Sequence, residues 1–138
     1  METLVARMDG LSVLIVEDDW LVADAIERQV DEIGGWVVGP VASVAEAMLA
    51  LSRAMPDLAL LDINLGRETS YAIADALAAR GTPFIFVTAY DRSILPDRFA
   101  KRPLLSKPLS SAELRKELVE IGLAHRSTSA DATHGQQR

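Results

Sequence analysis

The chain predicts an α/β domain built on a parallel sheet with helices on both faces. Three observations carry this reading. Five short apolar runs alternate with stretches of helical periodicity, and those runs are mostly apolar throughout rather than alternately polar. The 138 residues, 49% of them hydrophobic, are enough for one core and leave no room for a fused output module.

Val13-Val16 is the first run, and it ends in three acids, Glu17, Asp18 and Asp19. Leu21, Val22, Ile26, Val30 and Ile33 then recur at helical spacing as far as Gly34. Trp36-Val38 reads as a second strand closed by Gly39-Pro40. Ser43, with Glu46 three residues on, forms a capping box for a helix whose stripe is Val44, Met48, Leu51 and Met55, stopped by Pro56. Leu58-Leu61 is a buried strand running into Asp62, and 64–69 reads as a loop around Gly66. A helix from about Ser70 to Arg80 turns Ile73 and Leu77 inward and takes Gly81 as its C-terminal cap.

Phe84-Val87 is the fourth strand, ending in Thr88. Pro96 and Pro103 interrupt 89–103, so any helix there is short. Leu104-Ser106 completes the strands, followed by Lys107 and Pro108. Ser110 and Glu113 open a last helix with Leu114, Leu118 and Ile121 on one face. From about His125 the apolar periodicity stops, and 125–138 reads as a flexible polar tail.

Composition narrows the chemistry. No cysteine is present, so disulfides, thiolate metal sites and cysteine nucleophiles are excluded. His125 and His134 are the only histidines, poor material for a Ser-His-Asp triad or a histidine-ligated zinc site. A net charge of −6 offers no global basic field for nucleic acid. The apolar runs are strand-sized, far short of the roughly 20 residues of a membrane span, and the N-terminus lacks a signal-peptide core. A cytoplasmic protein is expected, binding neither nucleic acid nor membrane.

In open parallel sheets, ligands bind beyond the carboxyl ends of the strands. There the first strand delivers Glu17 and Asp18, the third Asp62, the fourth Thr88 and the fifth Lys107. Crowded carboxylates raise one another's pKa and repel unless a cation neutralises them, and a hard divalent ion, Mg²⁺, suits oxygen ligands. An ammonium and a hydroxyl beside the acids can compensate phosphoryl oxygens while one carboxylate attacks phosphorus. Asp62, at the end of a buried strand, is the candidate nucleophile. Taken alone, Glu17-Asp18-Asp19 also fits an acidic helix N-terminus stabilised by the macrodipole, and Asp19 fits a simple cap. Trp20 and Trp36 read as packing residues.

The separations are 44 residues from Asp18 to Asp62, 26 from Asp62 to Thr88 and 19 from Thr88 to Lys107. With Val13-Leu14-Ile15-Val16-Glu17-Asp18-Asp19, Leu60-Leu61-Asp62-Ile63-Asn64-Leu65, Val87-Thr88-Ala89 and Ser106-Lys107-Pro108, this order resembles the response-regulator receiver domain of two-component signalling. The resemblance covers about 11–124, after an N-terminal lead of 1–10. It implies a flavodoxin-like doubly wound sheet of strand order 2-1-3-4-5, and phosphotransfer to Asp62 from a sensor histidine kinase or a histidine phosphotransfer protein. It also implies Asp18 and Asp62 as direct Mg²⁺ ligands, Glu17 acting largely through water, the Asn64 backbone carbonyl as a further ligand, and Thr88 and Lys107 as the phosphoryl-sensing pair. Such a protein is a phosphoacceptor that catalyses its own phosphotransfer and autodephosphorylation rather than an enzyme, and signals to a protein target, here through the 89–124 face.

The stretches Val87-Thr88-Ala89-Tyr90 and Arg102-Pro103-Leu104-Leu105-Ser106-Lys107-Pro108 are similar to a single-domain subgroup named for a Phe-Ala-Thr-Gly-Tyr motif, with Val87 and Ala89 as departures. Receivers commonly carry an aromatic three residues before the lysine; Leu104 stands there instead. The segment between Thr88 and Lys107 is also short, which predicts a short or irregular fourth helix. Two other functions fit parts of the pattern. A phosphorylation-independent pseudo-receiver would bind partners without using the acids. An aspartate-nucleophile phosphohydrolase needs an acid two residues after its nucleophile, where Asn64 stands.

Overall fold

The apolar runs pair into one parallel sheet because each is long enough for a buried strand and is separated from the next by a helix-sized connection. The computed structural model describes residues 9–136, with side chains as far as residue 124; residues 1–8 of the expected N-terminal lead lie outside the described residues. The elements in order are β1 (Ser12–Val16), α1 (Trp20–Glu32), β2 (Trp36–Val41), α2 (Val44–Arg53), β3 (Leu58–Asp62), β4 (Asn64–Leu65), β5 (Glu68–Thr69), α3 (Tyr71–Ala79), β6 (Phe84–Thr88), β7 (Leu104–Ser106) and α4 (Ser111–Gln136). The sheet runs β2-β1-β3-β6-β7, which is the expected 2-1-3-4-5 once the small β4-β5 hairpin is counted apart.

Strand alternation divides the core into two. Val13, Ile15, Leu58, Leu60, Ile85 and Val87 face α1 and α4, where Ile26, Val30, Leu114 and Leu118 meet them. Leu14, Val16, Ala59, Leu61, Phe84 and Phe86 face the other way, against Ala47 of α2 and Ile73, Ala74 and Leu77 of α3. Burial on both faces is what makes β1, β3 and β6 apolar throughout. In register, Val16 pairs with Leu61, Asp62 with Val87, and Thr88 with Ser106, so the carboxyl ends of the central strands finish on one rim.

Several expectations are corrected. β2 continues through Gly39-Pro40 to Val41, because it is an edge strand and proline needs no ladder donor on its open side. Gly39 has φ +90°, and a Cβ there would stand 2.8 Å from Val41 N, so a bulge with glycine accommodates the turn against β1. The 64–69 stretch is an antiparallel hairpin rather than a plain loop. On α1, Leu21 is exposed and Ala23 is buried; on α2, Met48 is exposed and Ala47 is buried. Small alanines fit where helices approach the sheet closely. Trp20 and Trp36 are 75% and 69% exposed rather than packed. The backbone of α4 continues past 124 to Gln136, with no proline or glycine between 123 and 134 to stop it; the side chains of the expected tail lie outside the described residues.

Candidate functional site

β1 is followed by Glu17, 3% exposed, whose backbone N–H donates to Val41 O at 2.9 Å and so locks the acidic turn to the edge strand. The chain then turns into α1. Asp19 is the N-cap of that helix, accepting from Leu21 N and Val22 N, and its own N–H donates to Glu17 Oε2 at 3.1 Å. Asp19 is thus spent on capping, while Asp18 between them is exposed and free to face a ligand. Asp62, 5% exposed, closes β3, and Asn64 opens the β4-β5 hairpin at the surface.

One carboxylate oxygen each from Glu17, Asp18 and Asp62 lies within 4.8 Å of the others. Lys107 Nζ stands 3.0 Å from Glu17 Oε1 and 3.3 Å from Asp62 Oδ2. Buried Glu17 Oε1 meets the ammonium as an ion pair, with no further hydrogen-bond donor among the described residues. Continuing the strand alternation, Glu17, Asp62 and Lys107 all fall on the α1/α4 side, which is why they meet.

Electrostatics make the cluster unbalanced. Burial, then hydrogen bonding and charge from Glu17, push Asp62 up from 3.8 to about 7 against the opposing pull of Lys107. For Lys107, burial lowers the pKa, but hydrogen bonds and charge from Glu17 and Asp62 outweigh it and hold the ammonium above its usual value. Three acids and one lysine leave unneutralised negative charge, a donor set of hard oxygens that fits Mg²⁺. Asp18, Asp19, Trp20, Asp62, Asn64, Ala89, Tyr90 and Lys107 line a cavity of about 530 Å³ over these groups.

Thr88 is fully buried at the end of β6 and is not among the residues lining that cavity, so the structure brings the acids and the lysine together but leaves the threonine behind the cavity wall. Its Oγ1 accepts from Tyr90 N at 3.1 Å, and its carbonyl accepts from Lys107 N at 2.8 Å. The lysine is therefore carried on a backbone tied to the threonine, and its peptide bond to Pro108 is cis. The fourth helix is replaced by two 3-10 turns, Arg92–Ile94 and Asp97–Phe99. Leu104 is half-buried. Sequence reasoning passed over Trp20 as a cavity wall; its place directly after the acids was the available signal.

The response regulator receiver domain model matches residues 13–119. Among curated relatives, the phyllosphere-induced regulator PhyR of Methylorubrum extorquens is 35% identical over 74% of this chain and 40% of its own length. The positive alginate biosynthesis regulatory protein of Pseudomonas aeruginosa is 32% identical over 89% of this chain and 52% of its own. The chain thus spans about half the length of the curated relatives it matches. Among solved structures, SdrG from Sphingomonas melonis Fr1 is 36% identical with a TM-score of 0.72, over 85% of this chain and 98% of that one. PhyR from Bartonella quintana, described as an anti-anti-sigma factor, is 28% identical with a TM-score of 0.73, over 85% of this chain and 50% of that one.

Proposed function

The chain belongs to the response regulator receiver family, and from that premise we propose that residues 11–124 act as a Mg²⁺-dependent phosphoacceptor. The phosphoryl group comes from the phosphohistidine of a sensor histidine kinase or a histidine phosphotransfer protein, and Asp62 receives it. The observation that carries this reading is the convergence of Glu17, Asp18 and Asp62 on one point, with Lys107 bridging two of them.

In this reading an Asp62 carboxylate oxygen attacks phosphorus, the P–O bond forms, and the P–N bond breaks with its electron pair going to the donor imidazole. Asp18, Asp62, the Asn64 backbone carbonyl and, through water, Glu17 would hold the cation. Bound Mg²⁺ supplies the positive charge that keeps the acids ionised and compensates the phosphoryl oxygens. Lys107 leaves its place on Asp62 to pair with a phosphoryl oxygen, and the Thr88 hydroxyl donates to another. Water attack on the acyl phosphate later releases inorganic phosphate and regenerates the carboxylate. The protein is a signalling component rather than an enzyme with a separate substrate. No described helix is long and apolar enough to cross a membrane.

Output runs to a protein target through the 89–124 face, and the likeness to PhyR makes an anti-sigma factor the first class to test. For the acceptor itself, the protein and Asp62→Asn are incubated with Mg²⁺ and a small phosphodonor. A hydroxylamine-labile adduct is expected on the wild type alone. Undiminished label on Asp62→Asn would remove the assignment, and an unlabelled wild type would favour the pseudo-receiver.

A further inference from the structure

Residues 89–103 must carry the chain from the end of β6 back to the start of β7 without an α-helix, and what ties this segment together is a side chain. Arg92 Nη1 donates to Ala100 O at 3.0 Å and to Arg102 O at 2.7 Å. One guanidinium group therefore joins the turn that leaves the site to the turn that leads into β7. The middle of the segment is held separately. Phe99 is buried against Tyr71, Phe84 and Phe86, with centroid separations of 5.7, 6.1 and 5.3 Å, and Arg98 forks onto Asp75 of α3 at 2.9 and 3.1 Å.

We infer that Arg92 is the positioning residue that couples the Thr88 hydroxyl to β7. The inference rests on the phosphoacceptor reading of Asp62 and assigns the transmission step within it. Thr88 Oγ1 is the acceptor for Tyr90 N–H. When the Thr88 side chain rotates to bring its hydroxyl to a phosphoryl oxygen, Oγ1 moves away from the Tyr90 amide and 90–92 must settle differently. The displacement then passes through the Arg92 guanidinium to the carbonyls of Ala100 and Arg102, because those two hydrogen bonds link the near and far turns directly. The far turn continues into Pro103, whose carbonyl accepts from Phe86 N at 3.0 Å, and so into β7 and Lys107. Phe99 and the Arg98–Asp75 fork stay in place as the pivot. The side chain at 104 offers no such path: it is leucine, with no ring to bury in a new position and no hydroxyl to re-pair.

The test compares wild type, Arg92→Gln and Arg92→Lys by amide NMR, with Mg²⁺ and with or without the phosphoryl mimic beryllofluoride. Arg92 is exposed, so its loss leaves the core intact. In wild type, shift changes should reach from 62–66 and 88–92 through to 99–106. In Arg92→Gln, the changes at 62–66 and 88–92 should persist while those at 99–106 are lost. Arg92→Lys, which keeps a cation long enough to reach the carbonyls, should restore them. Changes at 99–106 that survive in Arg92→Gln, or that remain absent in a folded Arg92→Lys, overturn the coupling while leaving the acceptor reading intact. No shift near Asp62 in any of the three proteins refutes the acceptor reading, and this inference falls with it.

Discussion

At Asp62 the proposed acceptor role carries a cost to the fold. A carboxylate held at about pKa 7 binds a proton in the folded chain that the unfolded chain, near 3.8, has already lost. Between those two values the native state holds more protons, so stability falls as pH rises from about 4 to about 7 and levels off above. Asp62→Asn is nearly isosteric and carries no charge. In urea melts without divalent cation, it should flatten that slope and be more stable than wild type above pH 7, by on the order of 1–3 kcal/mol. Parallel pH profiles for the two proteins would count against the charge crowding described here. The neighbouring acids divide the work: Glu17 is buried and ion-paired, Asp19 caps α1, and Asp18 is exposed in the cavity wall.

At the scale of the element, the segment between β6 and β7 shows how a helix can be replaced. The segment 89–103 buries only Leu95 and Phe99, and the Phe99 ring sits in an aromatic cluster shared with α3 and β6. Guanidinium groups cover the flanks: Arg98 lies over Phe99 and Arg102 over Phe84, each 4.5 Å from the ring centroid. Phe99→Ala should therefore cost about 3–5 kcal/mol, because the cavity it leaves is walled by strand side chains that cannot collapse. An unfolding midpoint within error of wild type would show that the segment is held by its polar ties alone. On the other face, α4 docks through Leu114 and Leu118, and Arg115 reaches Gln29 and Glu32 of α1, fixing the helix that follows Lys107.

Across the whole molecule, charge is unevenly spread. The run 17–32 holds seven of the 20 acids and a single basic residue, Arg28, whereas 92–116 holds seven of the 14 basic ones. The acidic turn opens that run, so a divalent cation at the site would relieve repulsion that Lys107 alone leaves. Any ligand that binds the native state alone raises its stability by mass action. Mg²⁺ should therefore raise the melting temperature of wild type, and the rise should be much smaller in Asp18→Asn. Asp18 is exposed, so its removal should leave the metal-free melting temperature little changed. Equal Mg²⁺-induced shifts in the two proteins would place the ion elsewhere.

How much of this was legible before folding depends on the range of the interaction. Apolar runs, capping boxes and the glycine after α3 are local signals, so the element order and the parallel sheet could be read directly. The gathering of Glu17, Asp18, Asp62 and Lys107 was legible too, because strand ends in a parallel sheet share one rim. Which face a helix buries was less so. Leu21 and Met48 match a helical stripe, but the close approach of helix to sheet selects Ala23 and Ala47, and that distance is set by partners far along the chain. The tryptophans read as packing residues, yet both are exposed among the described residues. The division of labour among Glu17, Asp18 and Asp19, the raised pKa of Asp62 and the Arg92 tie were decided only by tertiary structure, because desolvation and hydrogen-bond direction depend on three-dimensional neighbours rather than on sequence spacing.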